Sequence, residues 1–590
     1  MKISNNMESL IVTTENGDKA FATSGNACLD FFTRITRNAI FSDYIDAFTK
    51  AWKENKETAY RLLMNMRDVR NGKGEKLIPI VLLLYLKFSI EPSVYEAILR
   101  KMIEYGYWKD LLKIIEIEKR TYIEKSKHSL FNTYSVSVSI SIEVKLFVEQ
   151  LKKDYDIFLS MENSDKISKK AAISLCAKWA PSEKTHYDHH PMFIAKDICN
   201  AMNINPKQYR LMLTKLRNHI GVLETLMSTQ RYDEIDFSKL PSVAMTKMKY
   251  AFSRDTNANG KESDERKKLH KSYSLFLRKL AEGKTKINIK GIQPHELVST
   301  YMDNSDVDQI VEEKWKALKQ RILTTGVFRN VTAIVDVSGS MNGQPMEVAI
   351  ALGILIAECT RGPFHGKVIT FHESPSWHHL IGETLKEQVQ CMKSAPWGGS
   401  TDLRKVFDII LKDAIDGQLI QDEMVKTLFI FTDMQFNHCN HDSWESTFEY
   451  AKHKFENAGY KLPNIICWNL RTSINKSMPF EKNEKGFVML SGFSAELLKC
   501  ILTAEEFTPI SMMMHVLEPY QVPMEVISSN VTELHSDPST IKALEIAIAK
   551  SAIKKAFKKS NTSILSKKLS KSDSDSKESS SDSKESSTSK

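Results

Sequence analysis

Beyond Thr325 the chain alternates short β-branched runs with helical segments, and this alternation constrains the fold more than any other feature of the sequence. The runs are VTAIVDV (331–337), GKVITF (366–371), KTLFIFTD (426–433), NIICWNL (464–470) and GFVMLSG (486–492). Apolar strands that alternate with helices predict a parallel sheet covered by helices on both faces. We therefore expect a Rossmann-like α/β domain over residues 326–515, with ligands bound at the carboxyl ends of its strands.

Residues 23–325 have a different pattern, with apolar side chains at three- and four-residue spacing. Pro and Gly interrupt these segments at intervals of tens of residues, which is typical of stacked helical pairs. Because no fixed period is visible, the prediction is an irregular, α-helical repeat-like domain.

The flanking segments differ from both domains. Residues 1–22 are polar and unpatterned, which predicts a flexible arm. Residues 516–560 form a C-terminal extension with a basic helix, in which Ile541, Leu544, Ile548 and Ala552 share one side. Residues 561–590 are rich in Ser, Lys and Asp and contain SDSKESS twice in tandem, a composition that predicts a disordered tail.

Cysteine usage and hydropathy indicate the compartment. The eight cysteines are scattered without a C-x-x-C pair, which is typical of a reducing interior rather than of a disulfide framework. The N-terminus lacks the apolar core of a signal peptide, and LIPIVLLLYLKF (77–88) is shorter than the ~20 residues of a membrane span. We expect an intracellular, cytoplasmic protein that does not enter membranes.

The net charge of +9 is unevenly distributed. Residues 1–325 hold 53 Lys and Arg against 41 Asp and Glu, whereas residues 326–550 hold 19 against 27. The basic first half is the candidate for binding a polyanion. An excess of +12 over 325 residues is also compatible with an ordinary solvated surface.

The first strand of the predicted sheet ends in one carboxylate and two hydroxyls, Asp336, Ser338 and Ser340. Oxygen ligands from one loop can converge there on a hard cation such as Mg²⁺, and serine hydroxyls add no charge to the site. Such a site would draw a threonine and a second aspartate from later strand ends, and Thr401 and Asp433 are in place. An ordinary polar loop remains the alternative.

This ligand order resembles the metal-ion-dependent adhesion site of von Willebrand factor A domains. The resemblance implies Asp336, Ser338 and Ser340 as first-loop ligands, Thr401 as the second, and Asp433 as a direct or water-mediated ligand. It implies Mg²⁺, or Mn²⁺ or Ca²⁺, as the cofactor. Two departures are Ser400, which competes with Thr401, and Asp402, which would make the site more acidic.

Several blocks outside the motif also carry a resemblance. These are MNMRDVRNGKGEK (64–76), YGYWKDLL (105–112), LCAKWAPS (175–182), YRLMLTKLR (209–217), IQPHEL (292–297), FTDMQF (431–436), CWNLR (467–471) and LSGFS (490–494). They are similar to an uncharacterised intracellular family of plants, fungi and large DNA viruses of amoebae, in which a helical region precedes a von Willebrand A-like domain. A viral member would work in the host cytoplasm or the virion. The domain order is distantly similar to the Ro/TROVE RNA-binding proteins, but domain order does not confer function.

Two basic segments are candidates for polyanion contact. Arg67, Arg70, Lys73 and Lys76 cluster at a glycine-containing corner, and Lys178 and Lys184 flank Trp179. Such cations would bind phosphates without reading sequence, and an aromatic ring among cations can stack on single strands. The alternatives are a helix–turn–helix corner relaxed by Gly72 and Gly74, and a core tryptophan that ends a helix.

Other polar clusters are weaker candidates. His186, His189 and His190, and HCNHD (438–442), lack a matching Cys or His pair elsewhere. Ser338 lacks the G-x-S-x-G elbow of a nucleophile.

The expected function is therefore non-enzymatic: a bound cation captures an Asp or Glu of a partner protein. RNA binding by the basic helical domain is the alternative, and hydrolysis by a metal-activated water is the least favoured.

Overall fold

The structure is a computed structural model of the 590-residue chain. It describes residues 11–13, 19–37, 39–127, 140–162, 173–257, 259–303, 305–371, 374–395, 403–434, 444–471, 478–531, 533–534 and 537–550.

The first part of the chain is helical, as predicted. Its described helices are α1 (Ala27–Arg34), α2 (Phe41–Glu54), α3 (Lys56–Arg67), α4 (Ile78–Lys87), α5 (Pro92–Tyr105), α6 (Trp108–Lys127), α7 (Ile142–Glu162), α8 (Cys176–Trp179), α9 (Ile194–Met202), α10 (Pro206–Ile220), α11 (Leu223–Ser228), α12 (Ser242–Phe252), α13 (Asp264–Ala281), α14 (Pro294–Val298) and α15 (Gln309–Leu323).

Local chemistry explains where several of these helices begin. The Asn55 side chain caps α3 by accepting a hydrogen bond from the Thr58 amide at 2.9 Å. Asn205 and Gln208 form a reciprocal capping box at the start of α10, and Pro206 occupies its first turn. These signals are local in sequence, which is why the prediction of a helical first part of the chain is confirmed.

A second apolar core lies within the helical part. It is built by buried residues of α11–α13 and their neighbours: Leu223, Leu226, Ile235, Phe237, Met245, Phe252, Leu269, Tyr273, Phe276, Leu280, Ile287 and Ile310. The larger core instead runs from α1 through α10 and continues into the sheet. The earlier helices and the sheet therefore share one interior, while α11–α13 pack mainly on one another.

The second part of the chain is an α/β unit, also as predicted. Its strands and helices are β3 (Phe328–Arg329), β4 (Val331–Asp336), α16 (Gln344–Cys359), β5 (Thr360–Arg361), β6 (Lys367–Phe371), β7 (Ser376–His379), α17 (Leu385–Lys393), α18 (Leu403–Asp416), β8 (Thr427–Thr432), α19 (Trp444–Asn457), β9 (Asn464–Asn469), β10 (Phe487–Ser491), α20 (Glu496–Thr503), α21 (Pro509–Leu517) and α22 (Met524–Ser528).

The strand order of the six-stranded sheet is β10-β9-β8-β4-β6-β7. All neighbours are parallel except β7, an antiparallel edge strand that the sequence pattern did not reveal. The chain builds outward from β4 to β7 and then returns to the other side of β4 at β8. This reversal between β4 and β8 is the place where open α/β sheets bind ligands.

Helix α16 packs directly on the first strand. A Cβ atom on Gly353 would lie 2.5 Å from a methyl carbon of Val335, so the close approach of helix and strand requires glycine. This contact fixes the loop between β4 and α16, which contains the candidate metal motif.

The N-terminal segment is more ordered than the predicted arm. Ile11–Thr13 (β1) pairs with Lys19–Phe21 (β2), and Phe21 exchanges two backbone hydrogen bonds with Met478 at 3.0 and 2.8 Å. The expectation of a flexible arm over residues 1–22 is corrected for these residues, because backbone pairing can order a segment that has no apolar pattern.

The C-terminal extension packs against the early helices. Residues 538–550 are helical, with Leu544 and Ile548 buried. Trp52 of α2 donates from Nε1 to the Val531 carbonyl, and Lys550 pairs with Glu124 at 2.8 Å. Ala552 and the predicted tail at 561–590 lie outside the described residues. No described helix has the length and hydropathy needed to cross a bilayer.

Candidate functional site

The carboxylate of Asp336 lies at the carboxyl end of β4 and is only 1% exposed. Its Oδ1 accepts a hydrogen bond from the Ser338 amide at 2.9 Å, and its Oδ2 accepts one from the Thr432 hydroxyl at 2.7 Å. Thr432 ends β8, so the side chain links the two strands on either side of the reversal. Each oxygen keeps lone-pair capacity for a further ligand.

The two predicted hydroxyl ligands lie together. The Oγ atoms of Ser338 and Ser340 are 3.1 Å apart, and the loop between β4 and α16 exposes Ser340 while keeping Ser338 half-buried. The structure therefore brings the hydroxyls to one place beside the end of β4. Polar oxygens grouped in this way suit a hard cation.

Asp433 follows the last residue of β8 and is buried. Burial raises the pKa of Asp336 to about 6, and the negative charge of nearby Asp433 adds to this increase, although hydrogen bonds from Ser338 and Thr432 oppose it. Two buried carboxylates that raise each other's cost of ionisation are a natural setting for a bound cation.

The backbone turns sharply just after Asp433. Met434 has a φ of 63°, a left-handed conformation that costs a residue with a side chain about 1 kcal/mol or more. Strain of this kind persists where the surroundings fix it, and it clusters at functional sites.

Arg471 also lies at the site, although it is not part of the predicted ligand motif. Its Nη1 atom donates to the Ser340 carbonyl at 2.9 Å and lies 3.8 Å from Oδ2 of Asp433. The side chain is 41% exposed, so one end of the guanidinium faces the solvent. The available signal was its place two residues beyond β9, on the same edge of the sheet as Asp336 and Asp433.

A cavity of about 320 Å³ adjoins the site on the side of the helical region. Asp433, Met434 and Asn469 form one wall at the strand ends, and α1 and α2 form the other. Four carboxylates line it, with two cations among them: Asp30, Asp43, Asp46 and Asp433, with Arg34 and Lys50. The helical region thus covers part of the edge at which the sheet would bind a ligand.

Two groups of predicted residues, one from this site and one from a separate weaker candidate, lie outside the described residues. These are Thr401 with its neighbours Ser400 and Asp402, and the segment HCNHD. Within the part of the chain that the structure describes, no three His, Cys, Asp or Glu side chains are grouped as metal ligands. The predicted ligand set differs from such a group because three of its five members, Ser338, Ser340 and Thr401, would bind through hydroxyl oxygens.

The basic corner between α3 and α4 divides into buried and exposed cations. Arg67 is buried and binds Asp110 through two hydrogen bonds, at 2.8 and 3.0 Å. Lys73 is 2% exposed, and its Nζ donates to the Phe32 carbonyl at 2.5 Å and to Ser491 Oγ at 2.7 Å. A polyanion cannot reach either group in this structure, so the predicted set is corrected at these two positions.

Burial lowers the pKa of Lys73 to about 7, although Glu75 acts in the opposite direction. Arg70 and Lys76 are exposed at the same corner. The corner itself is the helix–turn–helix connection that was weighed as the alternative: a Cβ on Gly72 would lie 2.1 Å from the Asn65 carbonyl oxygen, and Gly74 has a φ of +68°.

The second basic segment keeps its cations at the surface. Lys184 is exposed, and Lys178 is half-buried with Nζ 5.6 Å from the centre of the Trp179 ring. Trp179 ends α8, as the alternative predicted, but it is half-buried and is not the core residue that the alternative expected. His186, His189 and His190 are all exposed, and the edge of one ring of the His186–Tyr187 pair meets the face of the other, with ring centres 4.9 Å apart.

These observations define a class: a mostly helical region packed on an α/β sheet, with an acidic, hydroxyl-rich site at the strand ends. The chain belongs to the family described as domain of unknown function DUF2828, whose model matches residues 14–137 and 136–328. Residues 330–541 match the domain of unknown function DUF7788. The two matches meet where helices give way to the sheet.

The chain is similar to the uncharacterized protein L728 of Acanthamoeba polyphaga mimivirus. It is 56% identical over 552 residues, which cover 93% of this chain and 95% of the relative. The expected membership of an uncharacterised family with members in amoebal viruses is therefore confirmed.

Proposed function

We propose that the carboxyl edge of this sheet holds a divalent cation, best suited to Mg²⁺, in an arrangement of the von Willebrand factor A type. The cation would be held by Asp336, Ser338, Ser340 and Asp433, with Thr401 as the further predicted ligand. Its role would be to bind an Asp or Glu of a partner protein, so that the chain acts as a binding or scaffold protein.

One observation carries this proposal: the convergence of Asp336 and Asp433 at the reversal of strand order, beside paired serine hydroxyls. The donor set consists of oxygens, which matches the preference of Mg²⁺ and related hard ions. The bound cation would offset the repulsion between two buried carboxylates. Neutral hydroxyl ligands would leave it positive enough to attract an external carboxylate.

Calorimetric titration of the full chain with MgCl₂ and with MnCl₂ tests the site directly. Asp336→Asn keeps the shape of the side chain, with an oxygen that accepts from the Ser338 amide and a nitrogen that donates to the Thr432 hydroxyl, but it removes the charge, so we expect loss of the binding heat. Asp413→Asn, at an exposed position on α18, is the matched control and should titrate like the wild type. Equal titration of Asp336→Asn and wild type would reject the site.

Substitution of Arg471 should strengthen cation binding, the opposite of the effect expected for Asp336→Asn. The Arg471 guanidinium lies 3.8 Å from Asp433 and repels an incoming cation, so Arg471→Ala should tighten Mn²⁺ binding by about tenfold. An unchanged or weaker affinity would show that Arg471 does not share the site with the ion.

Capture of a partner then tests the role of the cation. Wild-type chain should recover proteins that are released by EDTA, and Asp336→Asn should recover none of them. Recovery that is the same for both chains in Mg²⁺ would separate partner binding from the cation site.

A second candidate function is RNA binding by the helical region. The observation that favours it is the concentration of positive charge between residues 239 and 290, which contain 14 Lys and Arg against five Asp and Glu.

A further inference from the structure

Most of the net positive charge of the helical region, the excess of Lys and Arg over Asp and Glu, lies in one short stretch. Residues 239–290 carry an excess of nine positive charges, out of twelve for residues 1–325. This stretch contains α12 and α13 and contributes most of the second apolar core. The charge therefore belongs to a unit that packs mainly on itself, away from the corner and from the strand ends.

Helix α13 separates its apolar and basic faces. Leu269, Tyr273, Phe276 and Leu280 are buried on one side. The opposite side presents exposed cations within about 120° of the helix circumference. We call this set the α13 ridge: Lys268, Lys271, Arg278 and Lys279.

None of the four α13 ridge cations forms an ion pair within 4.0 Å among the described residues. Cations elsewhere in the helical region commonly do, for example Lys87 with Glu118 and Glu143. Lys268 interacts electrostatically with Glu265, one turn earlier in the helix. Helix α13 nevertheless contains six Lys and Arg against two Asp and Glu, so cations spread over about 16 Å of its surface produce a local positive potential.

An exposed aromatic ring lies on α12, the helix that packs against the apolar face of α13. Tyr250 is 71% exposed, and Lys249 Nζ lies 5.0 Å from the ring centre. The next residue, Ala251, accepts a hydrogen bond through its carbonyl from Arg266 in the first turn of α13. Lys247 is exposed one helical turn before the tyrosine, and Arg254 is exposed two residues beyond the end of α12. A solvent-facing ring among cations is suited to stacking on an unpaired base.

We infer that the α13 ridge and Tyr250 form a binding surface for single-stranded RNA, an inference that rests on the second candidate function above. The ridge would contact phosphates and the ring would stack on a base, which gives affinity without strong sequence preference. A membrane surface is disfavoured because the apolar face of α13 is used in its own core, which leaves Leu275 as the apolar side chain exposed along the helix.

The test measures anisotropy of a fluorescein-labelled 20-nucleotide oligouridylate with the full chain at several salt concentrations. The ridge variant is Lys268→Gln, Lys271→Gln, Arg278→Gln and Lys279→Gln together. A matched control removes four exposed cations elsewhere, with Lys152→Gln, Lys153→Gln, Lys412→Gln and Lys452→Gln. We expect the ridge variant to bind at least tenfold more weakly, and its salt slope to fall by about 3, at ~0.7 per lost contact.

Substitutions of Tyr250 distinguish the contribution of base stacking to oligouridylate affinity from that of the cations. Tyr250→Ala should weaken binding by about tenfold, whereas Tyr250→Phe should retain it because the ring remains. Asp336→Asn should bind the oligouridylate like the wild type, so a failure of the cation site would not affect this result.

Three outcomes would overturn the inference. They are absence of oligouridylate binding by the wild type at low salt, equal loss in the ridge and control variants, and tighter binding to oligodeoxythymidylate than to oligouridylate. Ridge-dependent binding to phosphatidylserine vesicles or to polyglutamate, with none to the oligouridylate, would reassign the surface.

Discussion

The corner between α3 and α4 and the α13 ridge are both rich in cations, yet they use them differently. At the corner, Arg67 and Lys73 are buried and hold the helical region together and against β10. On the ridge, four cations face solvent with no ion-pair partner among the described residues. A cluster of Lys and Arg in a sequence therefore does not by itself mark a binding surface.

Long-range contacts cause the difference. Lys73 bonds Ser491, which is 418 positions away in the chain, and no local pattern announces that partner. The ridge follows from one helix alone, because apolar residues at Leu269, Tyr273 and Phe276 assign the opposite face to solvent. Substitutions at the corner should therefore cost stability, whereas substitutions on the ridge should not.

Arg67→Ala should destabilise the chain by about 3–5 kcal/mol, because it leaves the Asp110 carboxylate buried without its bidentate partner. Urea denaturation followed by circular dichroism measures the change. Arg100→Ala, which removes an exposed ion pair with Glu149, is the control and should cost less than about 1 kcal/mol. A similar loss of unfolding free energy in the two variants would mean that the buried Arg67–Asp110 pair stabilises the fold no more than an exposed ion pair does.

Lys73→Met should reveal a pH dependence. The pKa of Lys73 is lowered to about 7 in the folded chain, whereas an unfolded lysine has a pKa of about 10.4. The unfolded chain therefore binds more protons between these values, so the stability that wild type draws from Lys73 is full above the unfolded pKa and is lost as pH falls through about 7.

The free energy of unfolding of wild type relative to Lys73→Met should thus rise by about 2 kcal/mol from pH 7 to pH 9. Urea titrations at both pH values measure it. The exposed Lys76→Met is the control and should show no such trend; a pH-independent difference for Lys73→Met would contradict the buried, partly neutral lysine.

Arg70→Gln combined with Lys76→Gln tests the exposed half of the corner. Arg70 donates to the Glu104 carbonyl at 2.7 Å and Lys76 lies 3.9 Å from Glu296, so the stability cost should stay below about 1 kcal/mol. Oligouridylate affinity should change less than twofold. A loss of oligouridylate affinity as large as that of the ridge variant would identify the corner as part of the binding surface.

The four ridge substitutions to Gln should change the free energy of unfolding by less than about 0.5 kcal/mol, since they remove exposed side chains that form no ion pairs among the described residues. Thermal and urea denaturation measure this, with the four-residue control variant alongside. A cost of several kcal/mol would show that the ridge cations stabilise the fold instead of serving a ligand.

The candidate metal site was predictable from sequence in its strand-end residues. Asp336 and Asp433 terminate apolar runs, and parallel strands bring their carboxyl ends to one edge. Arg471 was not selected because a lone arginine after a strand carries no motif. The cavity was not foreseeable either, since its walls combine α1 and α2 with strand ends about 400 positions later.

By itself, the sequence determined that the first part of the chain is helical and that the later strands are parallel, because each depends on periodicity or spacing within a few tens of residues. Tertiary structure decided that β7 completes the sheet, that Arg67 and Lys73 are internal, and that the early helices cover the strand ends. Burial and pairing between distant segments set the role of a charged side chain, and those contacts exist only once the chain has folded.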